Sequence, residues 1–369
     1  MQARRRFSLR NAFVILTSWA LVVHVRAQSF ELSIPASPFS IEPSIRSAQL
    51  EQGDGSAFLL TNANIGTLGD ADMLLLKLDA GGNTIHSLTI GDMSGQGYHD
   101  VGMEAVQVGA DLFICGYTRS IDTAAAHTFT SFLIKCDTAL NFQWQKNYIL
   151  PAPFELYANA MTTTDNGQFL IAGQLYDGSD FHTMLMKVAA DGSLLWMKQY
   201  DILHGEHIHC VRELPGGDIL LSGNAVFGFE LVLPLVFKVN ANGDFLWGKY
   251  YNYPPMSVVE NSNFLFIQAQ SVDDILLCGH TDVLGAGSED FYIVDIDSAG
   301  ALNWARTYGA SQFEFPSAVR FDAAANELVM LGNTSSFNAS FTPKALAMRI
   351  SPGGLLIDAK LYGDTATAT

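Results

Sequence analysis

Phe169-Leu170-Ile171-Ala172-Gly173, followed by Asp191-Gly192-Ser193-Leu194-Leu195-Trp196 and closed by Tyr200, is the stretch on which the fold turns. A short apolar run ending at glycine reads as a strand. Asp-Gly between two apolar runs reads as a hairpin, because glycine supplies the positive φ of the turn. Both landmarks recur along the chain. The glycine-ended strand returns as Leu112–Gly116, Ile219–Gly223, Ile275–Gly279 and Leu328–Gly332, and Phe58–Thr61 is a copy with threonine in the glycine slot. Successive landmarks lie 55, 57, 50, 56 and 53 residues apart. The tryptophan slot holds Trp144, Trp196, Trp247 and Trp304, with His86 and Asp358 in the first and last copies, at intervals of 58, 52, 51, 57 and 54. Two independent markers that keep one period define six repeats.

Each repeat reads as four strands. Strand A is weakly marked, as in Met103–Val108, Ala158–Thr163, His207–Leu214 and Ser317–Phe321. Strand B ends at the landmark glycine, strand C is the most apolar, and strand D carries the tryptophan slot and usually a tyrosine. Four antiparallel strands per repeat, six times over, specify an all-β fold, a β-propeller of six four-stranded blades. The tryptophans are expected to fill the seams between blades. Phe30–Pro35 resembles a stray strand and leaves a partial seventh blade open; the reading takes six.

Charge and composition narrow the function. The 369 residues include 20 basic and 37 acidic side chains, a formal net charge of −17. Five arginines and no acids lie in the first 27 residues, so the remainder carries 15 bases against 37 acids, or −22. Such a surface repels phosphate backbones and anionic lipid, which argues against nucleic-acid and membrane-surface roles. Met1–Arg10 is positively charged, Ala12–Val25 is apolar, and Val25-Arg26-Ala27 offers small residues for cleavage. These are the parts of a secretory signal peptide, and the apolar run is short of the ~20 residues a spanning helix needs. The expected organisation is a signal peptide over 1–27 and one propeller domain over 28–369, with no membrane span after cleavage. Cys115, Cys136, Cys210 and Cys278 occupy strand slots without any CxxC pair, and read as buried free thiols rather than disulfides.

The glycine-ended strand B, the acidic glycine-rich Leu284–Asp290 segment, strand C, Asp-x-x-Gly, the tryptophan and Thr307-Tyr308-Gly309 together resemble the propeller-type repeats of secreted Bacteroidetes proteins. The resemblance covers nearly all of Gln28–Asp364. It implies a secreted, periplasmic or cell-surface protein of bacterial origin and no defined activity. Many such proteins carry a C-terminal sorting domain, which this reading does not find before Thr369. Asp297–Trp304 also resembles the tryptophan-docking repeat of quinoprotein dehydrogenases, in which the motif is structural.

Candidate chemistry is sparse, and no catalytic residue stands out. His204-Gly205-Glu206-His207-Ile208-His209 places His207 and His209 on one strand face, a spacing that ligates Zn²⁺ in other contexts; strand-end polarity is the favoured reading. Asp70 and Asp72, Asp177 and Asp180, and Glu289 and Asp290 precede strand C. They offer oxygens for Ca²⁺, although Asp beside Gly is ordinary turn chemistry, and no cofactor is expected. The D-to-A loops are rich in aromatics and carboxylates and, in a propeller, gather on one face with the B-to-C loops. Ligand contacts are therefore expected from Tyr98, His99, Phe154, Glu155, Tyr157, His207, Tyr251, Tyr253 and Glu314, with carbohydrate or peptide as partner. The leading reading is an exported, non-enzymatic binding or scaffold module. The alternative is a secreted polysaccharide hydrolase or lyase with carboxylates at the channel mouth.

Overall fold

The computed structural model describes residues 40–50, 56–64, 71–81, 83–91, 100–120, 128–202, 205–227, 231–251, 260–271, 273–336 and 343–362. Residues 1–27, read above as a signal peptide, and Phe30–Pro35 lie outside them. The fold is a six-bladed β-propeller of four-stranded antiparallel blades. Blade 1 is β1 (Ser40–Leu50), β2 (Ala57–Asn64), β3 (Ala71–Leu78) and β4 (Thr84–Ile90). Blade 2 is β5 (Asp100–Val108), β6 (Asp111–Ser120), β7 (Thr128–Asp137) and β8 (Phe142–Tyr148). Blade 3 is β9 (Glu155–Thr163), β10 (Phe169–Tyr176), β11 (Phe181–Val188) and β12 (Leu194–Tyr200). Blade 4 is β13 (Glu206–Glu213), β14 (Ile219–Phe227), β15 (Leu231–Val239) and β16 (Phe245–Tyr250), with β17 (Glu260–Asn261) pairing parallel to β15. Blade 5 is β18 (Asn263–Ser271), β19 (Asp274–Thr281), β20 (Asp290–Ile296) and β21 (Leu302–Tyr308). Blade 6 is β22 (Glu314–Asp322), β23 (Glu327–Thr334), β24 (Lys344–Ile350) and β25 (Leu356–Tyr362). Two compact units divide the chain after Tyr200, with blades 1–3 in the first and blades 4–6 in the second.

The landmark glycine lies within its strand, not at the end, and the first strand of each blade starts earlier than its apolar pattern suggests. One device explains both. Opposite the glycine, the first strand carries a bulge, at Ala158/Ala160 in blade 3, Ile208/Cys210 in blade 4, Phe264/Phe266 in blade 5 and Pro316/Ala318 in blade 6. The bulge pushes a backbone carbonyl towards the glycine. A Cβ on Gly173 would sit 1.9 Å from the Tyr157 carbonyl oxygen, and one on Gly223 would sit 1.9 Å from that of His207. No side chain fits there. The extra residue also breaks the two-residue alternation, so the strand head before it does not read as strand. Blade 1, with Thr61 in the slot, has a wider irregularity in β1, between Glu42 and Ser47.

Within each unit, neighbouring blades share cores. Phe58, Leu75, Ile114 and Phe132 join blades 1 and 2, and Phe113, Leu133, Phe169 and Met186 join blades 2 and 3. Leu220, Val236, Phe264 and Tyr292 join blades 4 and 5, and Phe291, Ile293, Met330 and Met348 join blades 5 and 6. In blades 2, 4 and 5 the tryptophan slot latches the blade to the third-to-fourth-strand turn of the next. Trp144 packs on Gly192, Trp247 on Gly300 and Trp304 on Gly354, whose positive φ values of 81°, 69° and 76° suit glycine. Tyrosine hydroxyls complete the latch by donating to the same turns, Tyr148 to the Gly192 carbonyl at 3.1 Å and Tyr251 to that of Gly300 at 2.9 Å. Blade 1 offers exposed His86 instead of tryptophan. The facing turn of blade 2 then carries Leu140 at φ 63°, and its buried side chain joins the core between blades 1 and 2. Cys115, Cys136, Cys210 and Cys278 are free and buried, and burial pushes the Cys136 thiol up to about 12.

Candidate functional site

The bulge fixes which residues stand at the strand heads, at the end of each blade where the second-to-third-strand loop also lies. In blade 3 the head reads Glu155-Leu156-Tyr157. Leu156 turns inward and is 1% exposed, whereas Glu155 and Tyr157 are half-buried and face outward. The Tyr157 hydroxyl donates to Glu155 Oε2 at 2.5 Å. Burial and the neighbouring Glu155 carboxylate both push the Tyr157 phenol well above its usual range, so it stays a hydrogen-bond donor.

Around Tyr157 the first unit assembles an aromatic platform. Its ring lies 5.2 Å from Tyr117, 4.9 Å from Phe129 and 6.0 Å from Phe181, and Phe181 in turn lies 4.9 Å from Tyr176. These rings come from β6, β7, β9, β10 and β11, and each keeps part of its surface open to solvent. Tilted and edge-to-face contacts of this kind hold aromatic side chains rigid. Arg119 stands at the rim, its guanidinium 5.8 Å from the Phe129 centroid. On the other side, Asp177 accepts from the Ser179 amide at 2.8 Å, the Ser179 hydroxyl at 2.7 Å and the Asp180 amide at 2.9 Å. Those bonds, with His182 Nε2 at 3.1 Å, hold the Asp177 carboxyl well below the usual range. Its oxygens serve the turn.

The head of blade 6 reads Phe313-Glu314-Phe315, in the register of Glu155-Leu156-Tyr157. Phe313 and Phe315 are exposed and parallel, 6.3 Å apart, and Phe315 packs edge-on against buried His280. Glu314 is fully buried. Its Oε2 accepts from the Ala310 amide at 2.9 Å, and its Oε1 from the hydroxyls of Thr334 at 2.6 Å and Ser336 at 2.5 Å. Asp290 lies beside it, accepting from the amides of Ala286 and Gly287 at 2.8 and 3.1 Å. Burial first, then the charge of Glu314, raises the Asp290 carboxyl. Gly309 gives both groups room, since a Cβ there would lie 1.6 Å from Asp290 Oδ1 and 2.5 Å from Glu314 Oε2. Glu289, with His280 Nδ1 4.0 Å from its Oε2, is pushed up to about 6 by burial and by Asp282. Burial pushes His280 down to about 4, so the imidazole is neutral and the two form no ion pair at neutral pH.

Of the residues expected to touch a ligand, Glu155 and Tyr157 are brought together, and both stand on β9 rather than in a loop. Phe154 precedes them and is exposed. His207 stands on β13 opposite Asn224, half-buried, with its imidazole pushed down by burial. His209 Nε2 lies 2.9 Å from Asn224 Oδ1. Among the described residues no cluster of His, Cys, Asp and Glu has the makings of a metal site. Tyr251 is buried in its latch, and Glu314 holds loops. Tyr98, His99 and Tyr253 lie outside the described residues.

Sequence reasoning passed over Tyr117, Arg119, Phe129 and Phe181. A signal existed, because the residue after the landmark glycine is polar or aromatic in every repeat: Asn62, Tyr117, Gln174, Asn224, His280 and Asn333. It faces the strand head across the sheet, as Gln174 faces Tyr157 and His280 faces Asn263.

No known family matches this sequence, and no curated protein matches it. Solved structures do match in fold. Puromycin hydrolase is similar over 92% of this chain at 12% identity with a TM-score of 0.54, and this chain spans 50% of that one. The WD40 domain of Pan2 from Neurospora crassa is similar over 89% of this chain and 85% of its own, at 8% identity and a TM-score of 0.50. At such identities the likeness speaks for the propeller alone.

Proposed function

We propose that this protein is an exported, non-enzymatic binding module whose ligand seats on the strand-head face of blades 2 and 3. The observation that carries this reading is the platform of Tyr117, Phe129, Tyr157 and Phe181, part-exposed and braced ring against ring, with Glu155 held at its edge by the Tyr157 hydroxyl. A rigid scaffold that presents aromatic faces beside a few polar groups is the usual make-up of a small-ligand or peptide site. Glu314 and Asp290 of the second unit accept hydrogen bonds that hold loops, which supports binding over catalysis there. The signal-peptide pattern of residues 1–27 supports export. Arrays of glycans and of peptides, probed with the full chain, test the reading. Tyr157→Ala and Phe129→Ala are expected to abolish capture of whichever probe binds, with Ser193→Ala in the opposite turn leaving it intact. Loss in the turn variant with the platform variants unaffected would reverse the assignment of the face.

A further inference from the structure

The platform has an unusual neighbour for so acidic a protein. Arg119 on β6 pairs across the sheet with Phe129, and its guanidinium lies by that ring. Its Nε is buried without a hydrogen-bond partner, and the group makes no hydrogen bond or ion pair with any described residue. Arginines in the same chain show the common alternative: Arg349 is held by Glu327 through two bonds of 2.6 and 2.9 Å. A guanidinium presents a planar fork of donors that matches a carboxylate in two parallel hydrogen bonds, and it stacks on aromatic faces without losing that capacity. Among the described residues Arg119 therefore has its stacking partner and no anion.

We infer that the platform takes a sugar acid, a single pyranose bearing a carboxylate, with the carboxylate on Arg119 and the ring on Phe129 and Tyr157. This inference rests on the binding-face reading above and adds the ligand class. Three features select the sugar acid. Phe129 and Tyr157, 4.9 Å apart and tilted by 33°, are both part-exposed and offer aromatic surface to the C–H face of a pyranose. Glu155 uses Oε2 to accept from Tyr157, and its Oε1 accepts from no described residue, so it is open to a ligand hydroxyl. The net charge of −17 disfavours polyanions at long range. A lone carboxylate instead meets Arg119 at contact distance, where one local cation outweighs charges screened over about 8 Å at physiological salt. A terminal or free uronate fits these terms, and a polyuronate does not.

Titration of the full chain with D-glucuronate, D-glucose and phenylacetate, followed by saturation-transfer NMR, tests the inference. Glucuronate is expected to bind at least about tenfold tighter than glucose, the difference one charge-assisted contact makes. Arg119→Met, which keeps the stem over Phe129, should erase that preference and leave glucose binding unchanged, and Arg119→Lys should retain part of it. Failure of glucuronate to bind, equal binding of glucose and glucuronate, a preference that survives Arg119→Met, or phenylacetate binding as tightly as glucuronate would each overturn the sugar-acid assignment. Equal binding of the two sugars that Tyr157→Ala abolishes would overturn it and leave the binding-face reading standing.

Discussion

The heads of blades 3 and 6 occupy one register and solve it in opposite ways. In Glu155-Leu156-Tyr157 the inward residue is apolar and packs with Phe113 and Met184, while a carboxylate and a phenol face outward. In Phe313-Glu314-Phe315 two apolar rings face outward and a carboxylate turns in. A buried carboxylate is tolerable when hydrogen-bond donors replace the water it gave up. Blade 6 supplies these through Ala310, Thr334 and Ser336, and blade 3 has no need of them. The cost of that arrangement is that Glu314, fully buried and committed to three donors, is closed to a ligand. Site and staple thus share one position, and the inward residue decides which a blade becomes.

Exchanging the inward residues tests this most severely. Leu156→Glu places a carboxylate among apolar side chains without donors and should cost about 4–5 kcal/mol in urea unfolding at neutral pH, with the loss shrinking on acidification as the group takes up a proton. Retention of wild-type stability would show that blade 3 hides a polar alternative. The reverse change, Glu314→Leu, strands the Ala310 amide and two hydroxyls and should cost about 3 kcal/mol, together with faster amide exchange in residues 284–288 and 309–312.

Asp290→Asn sharpens the comparison through pH. The folded protein holds the Asp290 carboxyl above its ordinary value, so the native state binds more protons than the unfolded one. That contribution is complete below the unfolded pKa near 3.8 and is lost as pH rises through the folded value. That contribution should therefore fall as pH climbs from about 4, and Asp290→Asn should flatten that limb and stabilise the protein at neutral pH relative to wild type. An unchanged slope would mean that folding does not raise the Asp290 carboxyl. The smallest effect is expected at the outward face of blade 3. Tyr157→Phe removes one part-exposed hydrogen bond and should cost about 0.5–1 kcal/mol, a shift near the limit of thermal unfolding measurements.

Much of the architecture was legible because repetition averages out local ambiguity. Five landmark glycines with a threonine in the sixth copy, and six tryptophan slots in step with them, define four-stranded repeats even where single strands, such as β1 or β22, are weak. The boundaries misread were those at the heads, and for one reason. A bulge inserts a residue that shifts the alternation, so Glu155 and Tyr157 read as loop although they pair with Tyr176 and Gln174.

The chain's own order determined the period, the blade count, the turn chemistry and the buried fate of the four cysteines, since each depends on residue type at a fixed spacing along the backbone. Tertiary structure decided what spacing cannot express. It turned Glu314 inward and left Glu155 outside, drew Tyr251 into a latch on Gly300, and stood Arg119 beside Phe129. Burial and partner geometry set the role of a polar side chain, and both are properties of neighbours brought together by folding rather than of the residue itself.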